Sequence, residues 1–274
     1  MSGVQNEVRA RYNRNPANED KRSRTSRAAE MEFRHTKLLL DPYITAETQV
    51  VEFGCATGYY AAHWHDKCKH YLGVDIAQAN VDFFNVKGFT GASARVGDAT
   101  NCPALADSSF DVVLCLGPMY HLPAEERLVA MREMTRIAKP GGVLAFAYIN
   151  KVGVLMHAIT NRWGHKKLPW RKRKHGALYP NRKGNDALFA GINDDANPFF
   201  FTMPEEVEAL ASQCGLQLLQ NAGVNITLNA AQINHMDDAQ YACWLECAEY
   251  MLQFPSCTGM ANHALMICKK EESA

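Results

Sequence analysis

The sequence predicts an α/β fold built around a parallel sheet. Strand-sized apolar segments alternate with helix-sized ones from Gln49 to Ile149, which is the pattern a βαβ chain produces. One segment, Phe110-Asp111-Val112-Val113-Leu114-Cys115-Leu116, is almost continuously apolar, as a parallel strand covered on both faces must be. Over 274 residues, 47% hydrophobic and 21% charged content supplies enough apolar surface for one large core without covalent staples.

The elements follow in order. Val4 to Tyr12 reads as a short helix. Residues 15–25 lack apolar content and are expected to be a mobile loop. Ala28, Met31, Phe33, Leu38 and Leu39 give the next helix its apolar stripe. Val50 to Phe53 is a strand that ends at Gly54, and Tyr59 to His65 a helix. Tyr71 to Asp75 is the second strand, Asn80 to Asn85 a helix, and Ala92 to Val96 the third strand. Phe110 to Leu116 is the fourth. Pro123 to Ala138 is a helix opened by proline and stopped by Lys139-Pro140-Gly141-Gly142. Val143 to Ile149 is the fifth strand.

The alternation then breaks. Residues 151–203 mix Gly, Pro, Asn and aromatic residues and read as an inserted cap that begins with an apolar helix, Val152 to Ile159. Helix Pro204 to Cys214, strand Leu216 to Gln220, helix Ala239 to Leu252 and strand His263 to Cys268 complete one domain. Its parts are 1–46, the core at 47–150, the cap at 151–203, and 204–274, the C-terminal part of the core with a helical insertion.

Composition excludes several classes. Lys plus Arg and Asp plus Glu are both 29, so neither disorder by self-repulsion nor a generally basic nucleic-acid surface is expected. No apolar run approaches the roughly 18 residues of a membrane span, and the polar N-terminus has no secretory apolar region. Nine cysteines in such a chain read as reduced thiols of a cytoplasmic protein. Cys243 and Cys247 share a helix face, but no CxxC anchors a metal site, and no metal is expected. The neutral total hides a split. Residues 1–184 hold 27 basic against 17 acidic residues, and residues 185–274 hold 2 against 12.

The chemistry concentrates at the strand ends. Glu52-Phe53-Gly54-Cys55-Ala56-Thr57-Gly58 places glycines where backbone can approach a ligand, ahead of a helix. Asp75 closes the second strand, where a carboxylate can accept from ribose hydroxyls. The G-x-x-x-G spacing departs from the G-x-G-x-x-G of nicotinamide dinucleotide sites. Gly97-Asp98-Ala99-Thr100 follows the third strand, Gly117-Pro118-Met119-Tyr120-His121-Leu122 the fourth, and Arg136-Ile137-Ala138-Lys139-Pro140-Gly141-Gly142 precedes the fifth.

These five motifs in this order resemble the class I S-adenosylmethionine-dependent methyltransferases, and more narrowly their small-molecule branch. The resemblance covers about residues 47–150, with a weaker match at Asn262-His263-Ala264-Leu265-Met266-Ile267. It implies a Rossmann-like seven-stranded sheet of order 3-2-1-4-5-7-6 with the last strand antiparallel and helices on both faces. It implies S-adenosylmethionine as cofactor and a cytoplasmic enzyme acting on a small-molecule acceptor through an O, N, S or C nucleophile. Glu52, Gly54, Cys55 and Gly58 would surround the methionine part, Asp75 would hold the ribose, and Ile76 would pack on adenine. Asp98 and Ala99 would read the adenine edge, and Leu116 would lie beneath the cofactor. The usual central glycine of the first motif is Ala56 here.

Other residues are placed by position. His121 follows the fourth strand at the reacting edge and is either a general base or a histidine that fixes a loop. Residues 1–46 would form a lid, in which Tyr12 either sits beside the sulfonium or is an ordinary helix aromatic. Tyr59 is comparable. Arg34 either pairs with the cofactor carboxylate or is solvated. Tyr120, Tyr148, Asn150, Asn262 and His263 are the candidates for acceptor contact. Residues 162–175 hold seven Lys or Arg and two Trp. They read as an RNA-binding patch, a lid for an anionic small molecule, or a solvated loop. RNA methyl transfer and non-catalytic cofactor binding remain the alternatives, and nucleic acid is not the expected partner.

Overall fold

A computed structural model describes residues 3–154, 170–172, 178–180, 199–225 and 230–272. The chain opens with helices α1 (Gly3–Asn13) and α2 (Pro16–Lys21), a 3-10 turn at Arg22–Arg24, and α3 (Arg27–Leu40). Next come β1 (Gln49–Phe53), α4 (Ala61–Trp64), β2 (His70–Asp75), α5 (Gln78–Val86), β3 (Ala92–Val96) and β4 (Phe110–Cys115). A 3-10 turn at Pro118–His121 leads to α6 (Ala124–Ile137) and β5 (Ala138–Ile149). The C-terminal part holds α7 (Pro204–Gln213), β6 (Leu216–Gly223), α8 (Ala230–His235), α9 (Asp238–Met251), α10 (Pro255–Thr258) and β7 (His263–Lys270).

The seven strands form one sheet in the order β3-β2-β1-β4-β5-β7-β6. Pairings from β3 through β5 are parallel, and β7 runs antiparallel to both β5 and β6. This is the expected topology. Side-chain alternation divides the apolar residues between the faces. Val51, Phe53, Val113, Cys115, Leu144 and Phe146 pack against Met131 and Met134 of α6. Val50, Val112, Leu114, Ala145 and Ile267 pack with Phe33, Leu40 and Trp64 on the other side. A sheet covered on both faces leaves its carboxyl-end edge as the place where a ligand can enter.

Several segments differ from expectation. Residues 15–25 are ordered as α2 and a 3-10 turn rather than a loop. Asn15 caps α2 by accepting from the Asn18 backbone N–H, and Pro16 occupies the first helical turn. Asp20 then accepts from Thr57 Oγ1 at 3.1 Å and pairs with Lys87. Local capping and a polar tether therefore replace the apolar content that the segment lacks. The run Lys139–Gly142 is a bulge inside β5 and not a loop after the helix. Pairing passes from Phe110↔Ala138 to Val112↔Val143, with Gly141 at φ +72° and Lys139 Nζ on both Asp111 oxygens at 2.8 and 2.9 Å. In α3, Leu38 is exposed. Ala28 and Met31 are covered by Ile233 and Ala248 of α8 and α9, and that cover does not reach Leu38, two turns further along.

A two-stranded hairpin pairs Trp170–Lys172 with Leu178–Pro180. The rest of the basic segment 162–175, and the apolar helix beyond Val154, lie outside the described residues. Among the described residues no helix is long and apolar enough to cross a membrane.

Because Asp20 ties α2 to the core through polar contacts alone, Asp20→Ala should loosen the N-terminal segment without unfolding the sheet. Limited proteolysis should cut residues 1–26 several-fold faster while the main thermal transition stays in place. An unchanged cutting rate would show that the tether does not hold the segment.

Candidate functional site

The carboxyl ends of β1, β2, β3 and β4 open into one pocket, roofed by α1 and α2, enclosing about 1000 Å³ that is partly open to solvent. Its floor is the β1 loop. Gly54 at φ +76° and Ala56 at φ +46° turn the chain. A Cβ at Gly54 would lie 2.7 Å from Pro118 Cδ and 3.2 Å from Gly117 Cα, so only glycine lets the β1 and β4 loops meet. Ala56 holds a left-handed conformation at some cost to a residue with a Cβ.

Asp75 organises this floor. One of its oxygens accepts from the Ala56 N–H at 2.9 Å, and the other from the Ala77 N–H at 2.8 Å and Asn80 Nδ2 at 3.3 Å. Burial pushes its carboxyl above the usual range, against the lowering by these hydrogen bonds. Two carboxylate oxygens offer about four acceptor positions, so capacity for a ligand hydroxyl remains. Glu52 is fully buried, accepts from the Tyr71 hydroxyl at 2.6 Å, and is pushed up to about 8 by burial, with Asp75 adding to the rise. At neutral pH it is largely protonated, and a cation placed beside it would favour the carboxylate.

The roof is fixed by polar contacts. Gln5 Nε2 reaches Asp98 Oδ1 at 3.3 Å and Thr100 Oγ1 at 3.2 Å, and Asn13 Oδ1 accepts from the Ala79 N–H at 2.9 Å. The Tyr12 hydroxyl is 2.9 Å from His121 Nε2, with the two rings edge to face. Burial raises the Tyr12 hydroxyl, with Tyr120 adding to it, so it is a neutral phenol. Tyr120, raised to about 12 by burial, donates to the Leu116 carbonyl at 3.3 Å.

Most of the residues singled out in the sequence meet here. Tyr12, Glu52, Gly54, Cys55, Asp75, Ile76, Asp98, Ala99, Leu116, Tyr120 and His121 all line the pocket, as does Tyr59. Asn262 and His263 line a second, more open chamber with Arg22, Ile149, Val154, Phe199 and Phe201.

Four residues lie elsewhere. Gly58 sits behind the loop, where a Cβ would be 2.6 Å from Phe84 Cδ2; its part is close packing at φ +83°. Arg34 points outward and pairs with Glu249 at 2.8 Å, because its position on α3 faces α9. Tyr148 is a core residue whose hydroxyl donates to Asn221 Oδ1 at 2.9 Å. Asn150 is buried, donating to the Thr258 carbonyl and accepting from the Val152 N–H, so its amide is used in holding the chain.

Sequence reasoning missed Gln5, Glu19, Arg22 and Phe33, which also line the pocket. The capping signature Asn15-Pro16 was the available signal that residues 15–24 are ordered.

Residues 51–146 match the family model described as a methyltransferase domain. A ubiquinone biosynthesis O-methyltransferase from Hahella chejuensis is 28% identical over 106 residues, 38% of this chain and 44% of that one. A tRNA N(3)-cytidine methyltransferase from Gallus gallus is 24% identical over 174 residues, 64% of this chain and 40% of that one. The chain therefore spans less than half the length of these curated relatives. Among solved structures, an S-adenosylmethionine-dependent methyltransferase from Mesorhizobium loti superposes with TM-score 0.58 at 16% identity, covering 88% of this chain and 98% of that one. Magnesium protoporphyrin IX methyltransferase from Synechocystis, with bound S-adenosylhomocysteine, gives TM-score 0.58 at 11% identity, over 98% and 100%. At these identities the structural likeness speaks for the fold.

The raised Glu52 has a consequence for stability. Its folded value of about 8 exceeds the unfolded carboxyl value, so the folded state holds this proton more tightly. That contribution is complete below the unfolded value and is lost as pH rises through about 8. Glu52→Gln keeps an acceptor for Tyr71 and removes the titration. The ligand-free variant should gain melting temperature relative to the parent as pH is raised from 6 to 9. Parallel curves across that range would refute the burial account.

Proposed function

We propose that this chain, a class I S-adenosylmethionine-dependent methyltransferase, transfers methyl groups to a small-molecule acceptor. The observation that carries the reading is the roofed pocket, lined by Leu116, Asp75, Asp98, Tyr12 and His121, with the Tyr12 hydroxyl 2.9 Å from His121 Nε2. A roof of this kind encloses a small molecule better than it admits a folded macromolecule.

The residues present fit the cofactor. Four carboxyl groups (Glu19, Glu52, Asp75 and Asp98) line the pocket with the apolar side chains of Val8, Val74, Ile76 and Leu116. Buried Asn80 Oδ1, also at the pocket, has no hydrogen-bond partner. That set suits a ligand joining a cationic end, a ribose and a flat base. When bound, S-adenosylmethionine supplies an electrophilic methyl group on a sulfonium centre. Asp75 would hold the ribose, Asp98, Ala99 and Ile76 the base, and Glu52, Gly54 and Cys55 the methionine part.

The chain's own residues then do three things. Helices α1 and α2 exclude water. The apolar wall at Leu116 limits how the acceptor can approach, which favours alignment with the methyl group. The Tyr12–His121 pair handles a proton. In the tautomer where Nε2 accepts, the Tyr12 hydroxyl hands its proton to His121 as it receives the acceptor's, so the phenol never carries charge.

One set of experiments tests this. Calorimetric titration should show saturable binding of S-adenosylmethionine and S-adenosylhomocysteine and none of NAD. Asp75→Ala should weaken cofactor binding by at least about tenfold, or 1.4 kcal/mol; unchanged affinity would remove the ribose assignment. His121→Ala and Tyr12→Phe should lower kcat far more than they change cofactor affinity. Normal turnover in both would remove the proton relay.

The similarity to a tRNA methyltransferase over 64% of this chain favours one second reading, an RNA acceptor engaged by residues 162–175. It requires RNA retention in a gel shift that falls steeply with salt.

A further inference from the structure

We propose that the methyl acceptor is an apolar or aromatic molecule carrying a carboxylate-type anion, and that Arg22 receives that anion. This rests on the methyltransferase reading and names the substrate class of the same site.

Among the described residues, Arg22 is the one that lines both chambers. It stands where the pocket behind the Tyr12–His121 pair gives way to the outer chamber at the ends of β5 and β7. The outer chamber encloses about 720 Å³, including open solvent. Among the described residues, Ile149, Val154, Phe199 and Phe201 make its wall mostly apolar. An acceptor that fills it must present apolar surface there and something complementary to a guanidinium at its inner end.

The guanidinium is held in place but not saturated. Its side chain is 45% exposed, and the two chambers are what it borders. It lies 5.5 Å from the Phe33 ring centroid and near enough to the Tyr120 hydroxyl to favour its ionised form. Glu19 pairs with it at 3.5 Å from Nε, too long for a good charge-assisted hydrogen bond. Five N–H donors in a rigid fork leave room for a planar carboxylate on another edge.

Glu32 and Glu19 both favour the Arg22 charge, so an acceptor's anion would compete with Glu19 for the fork. Glu32 lies 3.6 Å from His263 Nδ1, and the Arg11 guanidinium lies over the Phe199 ring at 5.1 Å. A second cation thus stands at the aromatic wall. Asn262, which lines the outer chamber, has its Oδ1 buried without a partner.

The opposite charge class is the competing reading, with Glu19 and Glu32 receiving an amine. It leaves the Arg22 fork facing the ligand's cation, and like charges at the junction of the chambers are unfavourable.

The test uses the whole protein saturated with S-adenosylhomocysteine and three probes of one shape: naphthoate, naphthamide and naphthylmethylamine. Calorimetry should show naphthoate binding at least about tenfold tighter than either of the others. Arg22→Gln should erase that preference while changing S-adenosylhomocysteine affinity by less than about threefold. Phe201→Ala should weaken naphthoate without touching cofactor binding, which separates loss of the chamber from loss of the fold. Equal binding of the three probes, preference for the amine, or no naphthoate binding to the cofactor-loaded protein would overturn the proposal. So would an equal loss of S-adenosylhomocysteine affinity in Arg22→Gln, which would assign the guanidinium to the cofactor's own carboxylate. Failure of the parent protein to bind S-adenosylhomocysteine at all would overturn the methyltransferase reading itself.

Discussion

The carboxylate of Asp75 is the interaction on which the rest of the site depends. It closes β2, holds the Ala56 N–H of the β1 loop, and caps the start of α5 through Ala77 and Asn80. Without it the left-handed turn at Ala56 would lose the hydrogen bond that offsets its cost. Burial opposes the ionised form, so the charge is sustained by donors that themselves shape the ligand pocket. One group thus links the order of the strands to the chemistry at their ends.

The two halves of the pocket are held by different forces. The floor belongs to a sheet packed by apolar residues on both faces. The roof is attached by Gln5, Tyr12, Asn13 and Asp20, each through polar contacts to the core. Polar contacts exchange with water at little net cost, whereas buried apolar surface does not. The roof, in which Val8 is the one buried apolar side chain of α1, is therefore expected to open before the sheet does.

The same division explains what was legible in the sequence. Strand positions and the pocket floor were readable because they depend on apolar runs and on glycines and carboxylates at strand ends, while the strand order came from the resemblance to the methyltransferase family. Residues 15–25 were not, because their order comes from an Asn-Pro cap and a tether to Thr57 and Lys87 rather than from hydrophobic pattern. Arg34 and Arg22 make the point within one segment. Both are charged residues near the N-terminus with nothing local to distinguish them. Packing of α3 against α9 turns the first outward to Glu249, while the turn after α2 carries the second into the pocket. Tyr148 and Asn150 sat at the expected strand end, yet pairing of β5 with β7 directed their polar groups to Asn221 and Thr258. Such choices depend on partners 70 or more residues away, which no local pattern encodes.

Selectivity should then reside where the motifs do not. The motif loops supply a surface suited to a nucleoside and a cation, and that surface can be common to many acceptors. The outer chamber has a separate wall, made by the N-terminal turn, the end of β5, Phe199 and Phe201, and the start of β7. These come from four separate stretches of chain and meet only when the roof is in place. An acceptor that engages Arg22 contacts the roof directly, so its binding would stabilise the closed arrangement in which Tyr12 reaches His121. On the proposed reading, acceptor recognition and assembly of the Tyr12–His121 pair would be the same event, and a molecule that fills the outer chamber without engaging the roof would gain binding energy but not the closed site.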